Sequence, residues 1–178
     1  MKKLAALLLV FLFACGGGGG GGSSTPVVPS SYVGTWHLTA FTVTYANGTV
    51  ITQSSPLITS YSGTMTITSS GNASQSVSVN GISGTVSATI ESINGNTCNF
   101  VSTKNGCTGT VTGILNGTTL TTNFALGTCG ANYSEIDVWT KVSSKPTLED
   151  ADARMSNVAS DTPIGGLASM LMESLAQQ

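Results

Sequence analysis

Few side chains in this sequence have the chemistry that catalysis requires. His37 is the single histidine, and a catalytic serine–histidine–aspartate set would need partners that converge on it. Glu135 and Asp137 lie two residues apart, and paired carboxylates can act as general acid and base. Strand alternation sets them opposite Ile136 and Val138, which we expect to face inward, so we expect both carboxylates to lie in solvent. The sequence therefore predicts no catalytic residues, no metal site, no cofactor and no enzyme.

The chain begins with a short apolar segment that ends at a cysteine. Lys2 and Lys3 precede an unbroken apolar run over residues 4–14, and Cys15 follows directly. A run of this length is too short to span a bilayer, which takes ~20 residues. A basic start, an apolar run and a small residue at the junction predict a cleaved export signal over residues 1–14.

The end of that run, Leu12-Phe13-Ala14-Cys15, resembles the lipobox of bacterial lipoproteins. The resemblance implies cleavage before Cys15, which then carries a thioether-linked diacylglycerol and an N-linked acyl chain such as palmitate. Two or more such chains hold a protein stably on a membrane. Gly16 stands where an aspartate would retain a lipoprotein at the inner membrane, which implies the outer membrane of a Gram-negative bacterium. A plain secretory signal with a coincidental cysteine is the alternative.

Residues 15–31 have the composition of a flexible tether. Residues 16–22 are all glycine, which brings no side chain to bury and loses much backbone entropy on ordering. Without residues 1–14, six Lys+Arg become four against eight Asp+Glu, a net charge of −4. This balance argues against nucleic acid, which requires a basic surface. We therefore expect the membrane as a partner, through the lipid on Cys15, and no nucleic acid; the oligomeric state is not indicated.

Residues 32–144 alternate apolar and polar side chains with a period of two, which is typical of β-strands. "GTMTITS" and "GTVSATIES" are examples, and Asn-Gly pairs such as Asn80-Gly81 predict tight hairpin turns. The expected strands cover residues 34–46, 49–54, 61–69, 74–80, 84–92, 97–103, 107–115, 118–126 and 132–142. We predict an all-β domain, an antiparallel up-and-down meander of about eight strands that closes into a barrel and so removes its edges. A flat sandwich is the alternative.

The stretch "YVGTWHLTAF", residues 32–41, resembles the first strand of the lipocalin superfamily, whose hallmark is Gly-x-Trp. Gly34 and Trp36 match that motif. The resemblance implies a lipocalin-like barrel in which Trp36 packs across the closed end, while the open end admits a small apolar ligand. "EIDVWTKV", residues 135–142, resembles a final strand that returns beside the first. The family's arginine that stacks on the tryptophan is absent, and Lys141 is its candidate substitute.

Alternation along the strands also selects the side chains that face the barrel interior. The candidate ligand-facing residues are Met65, Ile67, Val86, Ile90, Val111, Leu120 and Phe124. The same parity adds Val77, Val79, Ala88, Phe100, Leu115, Ile136 and Val138. Many of these side chains are small, which is compatible with a ligand cavity or with a narrow, filled barrel. We expect a lipoprotein that binds or carries a small apolar ligand; a structural or interaction module of the cell envelope that binds protein or glycan is the alternative.

Three cysteines remain for disulfide formation once Cys15 is lipidated. If the strand that begins at Cys107 turns at residues 116–117, Cys129 lies just beyond the facing strand. This register favours a Cys107–Cys129 disulfide and leaves Cys98 free. If the segment between Cys98 and Cys107 is a loop and not a hairpin, those two residues could pair instead.

Residues 145–178 differ in composition from the β domain and predict a helix or a disordered tail. Thr162 and Pro163 suit the N-cap and the first position of a helix. The parity that places Ile136 inward also places Trp139 outward, which is unusual for such a large apolar side chain. A helical tail packed on the outer wall would cover it.

Overall fold

The computed structural model describes residues 26–104, residues 106–145 and Leu171. The predicted export signal, Cys15, most of the tether and most of the tail lie outside these described residues. The first two ranges contain a 3₁₀ turn at Thr128–Gly130 and nine β-strands: β1 (Gly34–Tyr45), β2 (Val50–Thr52), β3 (Tyr61–Ile67), β4 (Asn72–Val79), β5 (Ile82–Asn94), β6 (Thr97–Lys104), β7 (Cys107–Asn116), β8 (Thr119–Phe124) and β9 (Tyr133–Ser143).

The strands form a closed antiparallel barrel. Each strand from β3 to β9 pairs with the next, β1 pairs with β3, and β1 also pairs with β9 along most of its length. This last pairing closes a ring of eight strands, while the short β2 pairs with the second half of β1. Closure gives the backbone groups of the ring partners on both sides. The predicted all-β, eight-stranded up-and-down barrel is confirmed, and the flat sandwich is excluded.

The β4–β5 hairpin shows how the sequence specifies the barrel wall. Val77 and Val79 of β4 are buried, whereas Ser76, which directly precedes Val77, is exposed. Asn80 and Gly81 connect the strands with positive φ angles of 51° and 85°. Two consecutive positive φ angles are those of a type I′ turn, for which Asn-Gly is the preferred pair.

The orientation of β9 differs from the sequence prediction. Glu135, Asp137 and Trp139 are 3%, 5% and 0% exposed, whereas Ile136 is 41% exposed and Val138 is half-buried. Side chains alternate strictly along a strand, so one choice of face determines the whole of β9. The predictions that the two carboxylates lie in solvent, that Ile136 and Val138 face inward and that Trp139 faces outward are therefore wrong.

Two aromatic side chains explain the orientation of β9. Tyr133 and Trp139 are both buried and share one face of the strand. Each aromatic side chain buries 150–250 Å² or so, worth about 4–6 kcal/mol at ~25 cal/mol per Å². Burying Ile136 or Val138 instead would contribute about 1.5–3 kcal/mol each. The aromatic residues therefore select the inward face, and the carboxylates between them follow.

Cys107 and Cys129 form a disulfide, with their Cα atoms 5.8 Å apart. The sequence favours this pairing, but the register of β7 and β8 differs from the one that it predicts. β7 and β8 are joined at residues 117–118, with Asn116 paired to Thr119. The predicted turn at residues 116–117 is therefore displaced by one residue.

Cys98 carries a free, buried thiol. It pairs with Gly113 across β6 and β7, far along the hairpin from the disulfide. Burial raises the pKa of Cys98 to about 11, so the thiol is protonated and unreactive near neutral pH. The alternative Cys98–Cys107 disulfide is not formed.

Leu171 is helical and belongs to the buried core of the barrel, with 1% of its side chain exposed. Residues 146–170 and 172–178 lie outside the described residues, so the packing of a tail helix on the outer wall stays a prediction. Trp139 faces the interior, however, and needs no outer cover. Within the described ranges, no helix is long and apolar enough to cross a membrane.

Candidate functional site in the barrel interior

One end of the barrel is sealed by a tryptophan and by the segment that precedes β1. Trp36 is fully buried, and its Nε1 donates a hydrogen bond to the carbonyl oxygen of Tyr32 over 3.0 Å. Lys141 Nζ lies 5.3 Å from the centre of the Trp36 ring. It also donates to the carbonyl oxygens of Ser30 and Ser31 at 3.0 and 2.9 Å. Lys141 therefore lies on the tryptophan, where a substitute for the arginine was expected, and links β9 to the entering chain.

Gly34 has a steric role at the same end. Its φ angle is 138°, and a Cβ atom at this position would collide with the carbonyl oxygen of Ser143 at the end of β9. A larger residue would push β1 and β9 apart at the seam that closes the barrel. Gly34 and Trp36 thus lie together at what we call the sealed end, formed by residues 30–36 and Lys141.

A cavity lies inside the barrel between β3 and β9. Its apolar lining consists of Met65, Ala73, Val86, Ala88, Phe100, Val111 and Phe124. Its polar lining consists of Gln75, Ser102, Thr122, Glu135 and Asp137. The cavity has a volume of about 40 Å³, room for about three water molecules at ~10–15 Å³ each.

Glu135 and Asp137 form what we call the acidic pair of this cavity. They are neighbours on the inner face of β9, and both line the cavity. Burial, then the charge of Glu135 and a hydrogen bond with its side chain, raise the pKa of Asp137 well above its ordinary value. Burial and the charge of Glu135 likewise raise the pKa of Tyr45.

The Oδ1 atom of Asp137 has no hydrogen-bond partner among the described residues. Other polar groups around the cavity do have partners. Trp139 Nε1 donates to Thr122 Oγ1 over 3.1 Å, and Ser102 Oγ donates to the carbonyl oxygen of Ser87 over 2.6 Å. The cavity therefore presents a buried carboxyl oxygen without a partner to whatever enters it.

The candidate ligand-facing residues divide into two groups. Four of them line the cavity: Met65, Val86, Val111 and Phe124. The other three are fully buried in the core and do not line it: Ile67, Ile90 and Leu120. The barrel is thus filled by side chains in one part and hollow in another. Both arrangements that the small inward residues allowed, a cavity and a filled interior, are present.

The acidic pair is the part of the site that sequence reasoning missed. Ile136 and Val138, the apolar neighbours of the carboxylates, predict the wrong inward face for β9. The spacing of Tyr133 and Trp139, six residues apart on one face, was the signal for the opposite parity. Two aromatic side chains in phase carry more apolar area than two aliphatic ones, so they are the better guide.

The remaining candidate chemistry gives no further site. His37 is exposed on the outer face of β1. In residues 26–104 and 106–145, no group of three or more histidine, cysteine, aspartate or glutamate side chains is arranged to hold a metal ion.

Comparison with solved structures finds similar chains at low identity. A fatty-acid-binding protein of Schistosoma mansoni in complex with arachidonic acid matches at 13% identity and a TM-score of 0.38, over 64% of this chain and 97% of that one. Fatty-acid-binding protein 1 of Echinococcus granulosus matches at 8% identity and a TM-score of 0.39, over 64% and 99%. A mutant of the fluorescent protein UnaG matches at 10% identity and a TM-score of 0.37, over 63% and 96%.

No protein-family model matches the sequence, and no curated protein sequence matches it. Because the TM-scores of the three structures lie below 0.5, the barrel assignment rests on the strand pairing and not on these matches. The function must likewise be argued from the cavity and its lining.

Proposed function

We propose that this protein is an exported, lipid-anchored binding protein whose lipocalin-like barrel holds a small ligand in its interior and catalyses no reaction. The observation that carries the proposal is the internal cavity, which combines an apolar lining with the buried acceptor of Asp137. Sites for small molecules typically combine apolar walls with a few fixed polar groups.

The size of the cavity limits the ligand. Pockets for drug-sized ligands measure ~300–1,000 Å³, whereas this cavity measures about 40 Å³. A long acyl chain therefore does not fit unless side chains such as Met65, Phe100 and Phe124 move. The proposal is accordingly restricted to a ligand of a few non-hydrogen atoms, or to a small group at the end of a larger molecule.

Native mass spectrometry of protein purified from its own envelope tests the binding function. A small molecule should accompany the parent protein and be lost from Ala88→Leu, which fills the cavity from β5. Thr89→Leu, which adds similar bulk on the neighbouring exposed position of β5, is the matched control and should retain the molecule. Equal occupancy in both variants would exclude the cavity as the binding site.

The lipid anchor is proposed from the apolar run that ends in Cys15, together with the glycine tether behind it. Labelled palmitate should be incorporated into the parent protein and into Cys98→Ser, but not into Cys15→Ser, which should leave the membrane fraction. Gly16→Asp should move the protein from the outer to the inner membrane. Membrane fractionation of Cys15→Ser identical to that of the parent would contradict the anchor.

A second candidate function, an envelope module that binds protein or glycan, is favoured by an open depression at the barrel rim. This depression has a volume of about 420 Å³ and is lined by residues of the β1–β2 hairpin together with Leu57 and Asn132. Leu57 is an exposed apolar side chain. Leu57→Lys should abolish binding of such a partner, measured by crosslinking in cells, and leave the small-molecule occupancy of the barrel unchanged.

A further inference from the structure

Asp137 Oδ1 is an unpaired acceptor inside the barrel. It lines the cavity, is buried with its residue, and has no hydrogen-bond partner among the described residues. A buried polar group without a partner loses its hydration on folding and gains nothing in exchange. Most buried polar groups in folded proteins are therefore bonded, and exceptions call for an explanation.

The surroundings of this oxygen determine what it can bind. It belongs to a carboxyl group that lies beside a second one, Glu135, on the cavity wall, and carboxyl groups are rich in acceptor oxygens. A guest that presents a hydrogen-bond donor is therefore the complementary one.

We propose that the cavity binds a small organic amine in its ammonium form, with the nitrogen at Asp137 Oδ1 and a short apolar body against Val86, Ala88 and Val111. This inference rests on the proposed ligand-binding function and names the class of ligand. Hydrogen bonds from cationic donors to carboxyl oxygens are shorter and about twice as strong as neutral ones. The apolar residues of β5 and β7 supply the complementary wall.

Two other ligand classes fit the site less well. A fatty acid would place its carboxylate beside two carboxyl groups, and like charges are unfavourable in a poorly solvated interior. A Ca²⁺ ion takes about six to eight oxygen ligands, but no group of three acidic, histidine or cysteine side chains is assembled in the described part of the chain. The donor must therefore come from an organic molecule that also has an apolar surface.

Three probes of similar size test the inference on the purified full-length protein: propylamine, 1-propanol and propionate at neutral pH. Each has three carbon atoms, and they differ in the polar group. Binding is followed by NMR titration of backbone amides and of the Trp139 indole N–H, which is bonded to the cavity residue Thr122. We expect propylamine to bind with a dissociation constant on the order of 1 mM, at least about tenfold more tightly than either of the other probes.

Variants separate the recognition of the amine from binding in the cavity. Asp137→Leu, which removes the acceptor oxygen, should lose the preference for propylamine, whereas Glu91→Leu, the matching loss of an exposed carboxyl group on β5, should keep it. Ala88→Leu should weaken the binding of propylamine because it fills the space for the apolar body. The ranking of the three probes on the unmodified protein stands even if a variant does not fold.

The outcomes also separate this inference from the proposed function. If propanol or propionate binds as tightly as propylamine, and Ala88→Leu abolishes that binding, the cavity is a ligand site but the amine assignment is wrong. If none of the probes binds to the unmodified protein, the cavity holds water only and the amine inference is overturned. The proposed function then depends on the molecule that accompanies the protein from its envelope.

Discussion

The sealed end and the cavity are two parts of one barrel with opposite polar chemistry. At the sealed end, Trp36 Nε1 has a carbonyl acceptor and Lys141 Nζ has two carbonyl acceptors and an aromatic ring. In the cavity, Asp137 Oδ1 is buried without a partner. Satisfied polar groups around a packed tryptophan stabilise the fold, whereas an unsatisfied acceptor reduces stability and leaves a position for a ligand. The difference predicts that substitutions at the two places change stability in opposite directions.

The largest effect is expected at the sealed end. Trp36→Ala should lower the free energy of unfolding by about 3–5 kcal/mol because it removes a fully buried aromatic side chain and leaves a void. Urea unfolding followed by circular dichroism measures the change. Val142→Ala, at an exposed position of β9, should change stability by less than about 0.5 kcal/mol. A similar small loss for Trp36→Ala would remove the distinction between the two parts.

The disulfide comes next, and it links the start of β7 to the 3₁₀ turn between β8 and β9. Replacing both Cys107 and Cys129 with serine should lower the free energy of unfolding by about 3 kcal/mol, since the bridge constrains an unfolded loop with a sequence separation of 22. Reductant should lower the stability of the parent protein by the same amount and leave the double variant unaffected. An equal effect of reductant on both proteins would assign the loss to another cause.

Asp137→Asn should raise stability, in contrast to any substitution at the sealed end. The folded pKa of Asp137 is raised above its ordinary 3.8, so between these two values the folded state binds more protons than the unfolded state, and stability falls as pH rises. Below 3.8 both states are protonated and the difference disappears. The variant should be more stable than the parent by about 1–3 kcal/mol at alkaline pH, with little difference near pH 4.

Urea midpoints measured across that pH range check the prediction for Asp137. One net proton corresponds to a slope of about 1.4 kcal/mol per pH unit. The charge of Glu135 raises the pKa of both Asp137 and Tyr45. The slope therefore belongs to these three groups together and not to Asp137 alone. Glu91→Gln should leave the slope of the parent unchanged, and a parental slope in Asp137→Asn would contradict the assignment.

The smallest effect is expected for Lys141→Met. The substitution retains an apolar stem over Trp36 but removes two hydrogen bonds and the cation above the ring, so it should cost about 1–2 kcal/mol. Burial lowers the pKa of Lys141, because its ammonium group loses hydration. This loss offsets part of the stability that its hydrogen bonds to the carbonyl groups contribute. Lys141→Arg should restore most of the stability, because a guanidinium group also stacks on an aromatic face.

Two strands show how far the sequence alone could be interpreted. In β1, Gly34 and Trp36 match a motif, and the buried Trp36 is followed by the exposed His37, as alternation requires. In β9, the buried residues also alternate with more exposed ones, but the phase that the aliphatic residues indicate is wrong. The local pattern gave two acceptable phases, and the choice depended on how much area each set of side chains buries against the other strands.

The same reason explains why part of the candidate site was predicted and part was not. Met65, Val86, Val111 and Phe124 were expected to face the interior because each lies on a strand with an unambiguous alternation, and they line the cavity. Which inward residues line a cavity and which fill the core depends on packing across the barrel. No strand contains that information by itself.

The amino-acid sequence by itself determined the all-β class, the number of strands and most of their boundaries, because period-two alternation and Asn-Gly turns are local properties of the chain. The tertiary structure alone decided the inward position of Glu135 and Asp137 and the location of the cavity. These features depend on contacts between strands that are distant in sequence, where burial of large side chains outweighs the solvation of small charged ones. A carboxyl group that the sequence places in water is thereby carried into the interior of the barrel.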